Sequence, residues 1–267
     1  MWQNDKGQVI IPTGGGKTIC MIDDAITNME VRHHGQTFVV VAPRILLAEQ
    51  LCKEFLELLS PGHNAHVMHV HSGDVEFFHT TNPEQIHLFA NVARTAGENC
   101  IIFTTYHSLH RVVDSGIDID TIYFDEAHNG CARGFFAAVY ATAQYAKRRY
   151  YFTATPKTGR GQSLARGMNN TDVYGNTLCN VPAQELIEAG AIVPPRIVPF
   201  ETNRVRNKYN AHEVDADNLK DMFEQLDVFQ TPKVLVSAPS SKVLGNMLGH
   251  TDILEYFYKK GYDVMHI

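Results

Sequence analysis

Apolar residues in this chain follow two rhythms that alternate from its beginning. Short unbroken runs bounded by turn formers, at 7–12, 37–41, 65–71, 100–104, 121–124 and 149–152, read as buried strands. Between them the apolar positions take helical spacing. Residues 18–30 carry Ile19, Ile22, Ile26 and Met29, and residues 46–59 carry Leu47, Leu51, Phe55 and Leu58. Intervals of three and four residues stack side chains on one face, so both sets are expected to face a core. A further helix is expected over 134–146. Strands without polar alternation, interleaved with helices, predict an α/β fold with a doubly wound parallel sheet.

The rhythm fades after Pro156. Gly159, Gly161, Gly167 and the pair Asn169-Asn170 mark a loop-rich connection, and Pro194-Pro195 precedes another expected strand at 196–200. It resumes with a strand at 233–237, a helical stretch at 242–260 and an apolar strand at 262–267. The expected organisation is therefore a first lobe at 1–156, a connecting segment at 157–231 and the start of a second lobe at 232–267.

Chemistry gathers at two places. Pro12-Thr13-Gly14-Gly15-Gly16-Lys17-Thr18 sits between the first strand and the first helix. There the backbone N–H groups and the helix dipole favour an anion, and glycines let the backbone approach it closely. Lys17 would neutralise the phosphates of a nucleoside triphosphate held by Thr13, Gly14, Gly15 and Gly16, and the Thr18 hydroxyl would ligate Mg²⁺. The bland reading is a strand-to-helix turn that binds nothing, in which a Lys-Thr pair has no purpose. Asp125-Glu126-Ala127-His128 follows the strand at 121–124, at the strand end where open α/β sheets bind ligands. Asp125 would hold Mg²⁺ through its water shell, and Glu126 would orient and deprotonate an attacking water. The alternative is an acidic helix cap at Asp125.

Pro12–Thr18 and Asp125–His128 together resemble motifs I and II of the superfamily 2 helicases of the DEAD/DEAH-box-related group, in which an apolar residue such as Ile11 commonly replaces the first glycine of motif I. Thr153-Ala154-Thr155 resembles motif III and Ala42-Pro43-Arg44 motif Ia. Thr104-Thr105-Tyr106-His107-Ser108-Leu109 resembles the Thr-Tyr-x-Ser-Leu element that contacts a nucleic-acid backbone. The resemblance implies a RecA-like P-loop NTPase lobe that uses ATP and Mg²⁺, binds one nucleic-acid strand and works against a second such lobe. It implies catalytic roles for Lys17, Asp125 and Glu126, and roles for His128, Thr153 and Thr155 in coupling hydrolysis to strand movement. It also implies strand contacts at Pro43, Arg44, Thr104 and Thr105, with the bland alternative of a surface arginine at Arg44.

The family's motif VI, with its arginine fingers, has no counterpart in this sequence, and Gln3 stands too close to the loop for the family's adenine-reading glutamine. On that reading the chain is a fragment truncated at both ends, binding Mg·ATP weakly and turning it over slowly, with the apolar residues after Lys233 prone to association. The implied activity is that of an ATP-dependent helicase or translocase, with DNA favoured over RNA. The alternatives are the motor subunit of a restriction system and a nucleotide-clamped binding module without hydrolysis.

Composition adjusts this picture slightly. The chain has 267 residues, 44% of them hydrophobic, which is ample for a core and allows one large or two small domains. A formal charge of −6 does not advertise nucleic-acid binding, but a cleft needs only local positive charge. Lys147, Arg148, Arg149, Lys157, Arg160 and Arg166 form the densest basic region, as a strand path or a solvated loop; Arg204, Arg206 and Lys208 form another. The five cysteines make no Cys-x-x-Cys pair, which reads as reduced thiols in a cytoplasmic, nucleoid or nuclear setting. No apolar run reaches membrane-spanning length. His69 and His71 share a strand face while His66 takes the other, and with no acid or cysteine beside them a metal site is disfavoured.

Overall fold

Seven parallel strands lie in the order β3-β4-β2-β5-β6-β1-β7. They are β1 (Lys6–Ile10), β2 (Thr37–Ala42), β3 (Ala65–Val70), β4 (Asn99–Thr105), β5 (Thr121–Phe124), β6 (Arg148–Thr153) and β7 (Thr177–Asn180). The computed structural model describes residues 4–32, 35–226 and 233–265. It divides into two units, 1–194 and 195–267, and the sheet belongs wholly to the first.

Alternation along β2 shows how the sheet is covered. Phe38, Val40 and Ala42 join one core with α1 (Lys17–Val31) and α2 (Ile45–Leu58). Val39 and Val41 join the other, with α3 (Pro83–Ala96), α4 (Leu109–Asp114) and α5 (Phe136–Tyr145). All five strand residues are completely buried, and burying such a side chain contributes about 1.5–3 kcal/mol. The doubly wound parallel sheet expected from the sequence is therefore present.

The helix faces differ from the expected stripes. Ile19 is 57% exposed, Leu47 37% and Leu58 49%. The buried face of α1 is Met21, Ile22, Asp24, Ala25, Asn28 and Met29; at 3.6 residues per turn Ile19 lies about 140° from its centre. Polar Asp24 and Asn28 disguise that face, because Asp24 accepts from the Tyr123 hydroxyl at 2.7 Å and Asn28 accepts from Arg148. In α2 the small residues Ala48 and Cys52 carry the face with Leu51 and Phe55, which rotates Leu47 and Leu58 to its edges.

β7 and the short helices α6 (Thr171–Tyr174) and α7 (Ala183–Glu188) lie in the segment expected to be a connection. The Gln8 side chain donates to the carbonyls of Met168 and Gly175, both at 2.9 Å, tying that segment to β1. Gly175, at φ 70°, comes so close to Gly7 that a Cβ would stand 2.9 Å from the Gly7 Cα. At the amino-terminal end of the sheet Asp120 accepts from Lys147 at 2.8 Å, from Arg94 at 2.7 Å and from the Thr37 amide at 2.9 Å. His69 and His71 share a face, 3.1 Å apart, whereas His66 pairs with Glu98 on the other.

The second unit contains α8 (Ala211–Leu226), α9 (Ser241–His250) and α10 (Ile253–Lys259), packed around Phe223, Met247, Ile253 and Phe257. The expected single helix at 242–260 is broken where the Thr251 hydroxyl donates to the Met247 carbonyl and accepts from the Ile253 amide. The strands expected at 196–200 and 233–237 pair with nothing among the described residues, and Ile197 and Leu235 are 87% and 94% exposed. Residues 262–265 form no strand either, and His266 and Ile267 lie outside the described residues. Among the described residues no helix is long and apolar enough to cross a membrane.

Candidate active site

Strand order assembles the site. β6 lies between β1 and β5, so the ends of these three strands bring together the glycine loop, Thr153 and the two carboxylates. The loop has the backbone that its glycines allow: Gly14 has φ 80° and Gly16, which precedes α1, has φ 91°. A Cβ on Gly15 would stand 2.5 Å from the Ile11 Cγ2 and 2.7 Å from the Leu186 Cδ1. Thr13 is exposed and Thr18 half-buried.

Lys17 is the first residue of α1. Its Nζ lies 3.5 Å from the Glu126 Oε1 and 3.4 Å from the Ile11 carbonyl oxygen, and its side chain is only 10% exposed. Glu126 turns out of β5 in a left-handed conformation, φ 43° and ψ 54°. Its other carboxylate oxygen faces the His128 Nδ1 at 3.4 Å, and that nitrogen is 3.0 Å from the Thr153 Oγ1. A ring protonated at Nδ1 donates toward both. The Thr153 oxygen also accepts from the Thr155 amide at 3.1 Å. Lys17, Glu126, His128, Thr153 and Thr155 thus form one continuous chain of polar contacts, with Thr155 itself exposed.

Burial first, and the Glu126 carboxylate second, raise Asp125 to about 6, against the pull of a backbone hydrogen bond and Lys17. Two adjacent carboxylates that resist ionising together, facing a lysine and a hydroxyl across a glycine loop, make a donor set that suits a hard divalent cation carrying a phosphate. The loop also leaves no room for side chains at its centre. The residues present therefore fit Mg²⁺ and a triphosphate.

The residues expected to contact a nucleic-acid strand separate into two groups. Arg44 is exposed at the start of α2 and Pro43 is half-buried beside it. Thr104 is fully buried, with its hydroxyl donating to the Val70 carbonyl at 2.8 Å. Thr105 is buried as well, and its hydroxyl accepts from the Ser108 amide at 3.3 Å. The Thr104 hydroxyl thus bonds to β3, and that of Thr105 to the turn that follows β4. The exposed residue of that turn is His107. Sequence reasoning missed the role of Tyr106, whose hydroxyl donates to the Asp125 carbonyl at 2.9 Å. A tyrosine beside a buried threonine pair was the available signal. It also missed Leu186 and Ile192, which approach the glycine loop.

Residues 2–158 match the family described as type III restriction enzyme, res subunit. No curated protein matches the chain. Among solved structures, a nuclease-deletion mutant of the Type ISP restriction-modification enzyme LlaGI, in complex with a DNA substrate mimic, overlays with a TM-score of 0.60 at 20% identity. The match covers 86% of this chain and 22% of LlaGI. The ATP-dependent Type ISP restriction-modification enzyme LlaBIII bound to DNA gives 0.59 at 19% identity, over 71% of this chain and 14% of its own. The Pyrococcus furiosus Hef helicase domain gives 0.49 at 18% identity, over 96% of this chain and 53% of its own. This chain thus spans a minor part of either restriction enzyme, and at these identities the overlays on those two enzymes establish the RecA-like fold. With the family match covering more than half of its length, the chain belongs to the type III restriction enzyme res-subunit family, a branch of the superfamily 2 helicase-type proteins.

Proposed function

We propose that this chain is the ATP-binding lobe of a motor that couples Mg·ATP hydrolysis to movement along a nucleic-acid strand, DNA in preference to RNA. The observation that carries the reading is the unbroken run of contacts from Lys17 through Glu126 and His128 to Thr153. Bound Mg·ATP supplies the electrophilic phosphorus and the cation that neutralises its oxygens. Thr13, Gly14, Gly15 and Gly16 cradle the phosphates by their backbone, and Lys17 neutralises them. Thr18 and Asp125 would hold the cation. Glu126, oriented by Lys17 and His128, would take the proton of the attacking water. His128, Thr153 and Thr155 carry the change at Glu126 to the neighbouring strand end. On the outer rim Pro43 and Arg44 meet the strand, together with the turn at Thr104 and Thr105 and its exposed neighbour His107. The free cysteines suit a reducing compartment, cytoplasm or nucleoid.

The test is Mg·ATP binding and turnover with no polymer, single-stranded DNA, duplex DNA and RNA, for the chain and for Lys17→Ala. Lys17-dependent binding, with slow turnover that one polymer raises, is the expected result. Binding indifferent to the lysine would sink the reading. Membership of the res-subunit family favours a second form of it, a restriction motor that translocates without separating strands. Triplex displacement without release of a duplexed strand would mark that form.

A further inference from the structure

One residue touches each of the strand ends that the proposed motor must coordinate. The backbone amide of Tyr106 donates to the Ala42 carbonyl at 3.2 Å, immediately before Pro43 and Arg44. Its hydroxyl donates to the Asp125 carbonyl at 2.9 Å, immediately before Glu126. Its chain neighbour is the exposed His107. The ring is 2% exposed, lying 6.2 Å from Phe124 and 5.8 Å from Phe135, and the His107 ring meets that same Phe135 edge-on at 4.6 Å. The carboxylate turn is held from the other side too, since the Asp125 amide donates to the Val41 carbonyl at 2.8 Å. The Phe124–Asp125 peptide is therefore fixed by β2 through the Asp125 nitrogen. Tyr106 fixes the next peptide, the one leading into the left-handed Glu126, through the Asp125 oxygen.

We infer that Tyr106 is a positioning residue through which a strand engaged at Arg44 and His107 sets the direction of the Glu126 carboxylate, so that strand binding and nucleotide binding are coupled by its hydroxyl. This rests on the proposed function and adds the route by which one site informs the other. The hydroxyl touches neither ligand. A shift of the β4 turn moves the Asp125–Glu126 peptide through its carbonyl oxygen while the Val41 bond holds the peptide before it. The rotation this produces falls on Glu126, whose side chain already bridges Lys17 and His128. Such a link is a coupling free energy, and it must act equally in both directions.

The experiment measures the Kd of a Mg²⁺-bound, non-hydrolysable fluorescent ATP analogue with and without saturating oligothymidylate, and the Kd of the oligonucleotide with and without the analogue. The full chain is compared with Tyr106→Phe, which keeps the ring stack and deletes only the hydroxyl. The wild-type protein is expected to show a coupling factor of about fivefold or more, equal in both measurements. In Tyr106→Phe the factor should fall to about one while each separate Kd stays within about threefold, a pattern that general destabilisation does not produce. Phe135→Leu, which keeps apolar bulk but removes the ring edge that His107 meets, should lower the factor in the same way. Wild-type coupling retained in Tyr106→Phe, or no coupling in a wild-type protein that binds both ligands, would overturn the inference alone. Failure to bind the analogue or the oligonucleotide would overturn the proposed function along with it.

Discussion

Replacing Asp125 by asparagine should stabilise the metal-free protein while removing Mg²⁺-dependent nucleotide binding. Burial and the neighbouring Glu126 raise Asp125 from its ordinary 3.8 to about 6. The native state therefore holds this proton more tightly than the unfolded chain. Between about pH 4 and pH 6 the unfolded chain has lost a proton that the native state keeps, so stability falls as pH rises through that window and then levels off. A shift of roughly two units corresponds to about 3 kcal/mol, an upper bound for a side chain that is only partly buried. Asparagine carries no such proton. In EDTA the variant and wild type should unfold together near pH 4, and the variant should gain stability steadily up to about pH 6. At about 2–4 °C per kcal/mol for a chain of this size, the variant should melt at most about 6–12 °C higher at neutral pH. Thermal unfolding across the pH range, with and without Mg²⁺, reads this directly. Equal melting at pH 7, or a gap independent of pH, would refute the claim that an uncompensated carboxylate pair strains the empty site.

Lys17→Ala should weaken Mg·ATP at least about tenfold, or 1.4 kcal/mol, by titration calorimetry; an unchanged affinity would remove Lys17 from the phosphates. Gly15→Ala places a Cβ 2.5 Å from the Ile11 Cγ2, 2.7 Å from the Leu186 Cδ1 and 3.0 Å from the Pro12 carbonyl oxygen. Overpacking of that kind costs about 1–3 kcal/mol, visible in urea unfolding, and a neutral substitution would show that the loop does not pack as described. Asp120→Asn should destabilise most at neutral pH and progressively less in acid. Burial alone would raise Asp120, but hydrogen bonds from Lys147 and the Thr37 amide, with the Arg94 charge, hold it below the ordinary carboxylate value. Its stabilisation is thus present above that value and lost as pH falls through the lower native one; a penalty that grew in acid would contradict it.

The inner strands were legible because they are buried on both faces, a pattern that surface loops do not produce. Phe38 to Val41 are buried without a polar interruption, and period and burial agree. Helix faces were less legible where small or polar side chains lie inside. Ala25, Ala48 and Cys52 carry little hydrophobic weight, and Asp24 is buried only because the Tyr123 hydroxyl, distant in sequence, meets it. β7 was missed for a related reason. Its residues are only partly buried at the sheet edge, so Leu178 and Cys179 give too short an apolar signal to stand out from the glycine-rich approach. The second-unit strands failed differently, since apolar runs at 196–200 and 233–237 satisfy the strand pattern but gain no ladder among the described residues. An apolar run supplies the side chains of a strand, and only a neighbour supplies the hydrogen bonds.

At the site the sequence indicates which residues meet, but the direction of Glu126 arises elsewhere. A non-glycine residue in the left-handed region costs on the order of 1–3 kcal/mol and persists only where its surroundings fix it. Here the Asp125 amide donates to Val41, and the Asp125 carbonyl accepts from Tyr106. The Glu126 carbonyl accepts from both the amide and the side chain of Asn129, each at 2.9 Å. Four hydrogen bonds to β2, the end of β4 and the following turn hold these successive peptides against the local preference. The carboxylate consequently faces Lys17 and His128 instead of continuing the alternation of β5. Relaxing that backbone would release strain and move the carboxylate away from the lysine in the same step. The contacts that keep Glu126 unfavourable are therefore the ones that aim it, and two of the four come from the strand ends that also carry Arg44 and His107.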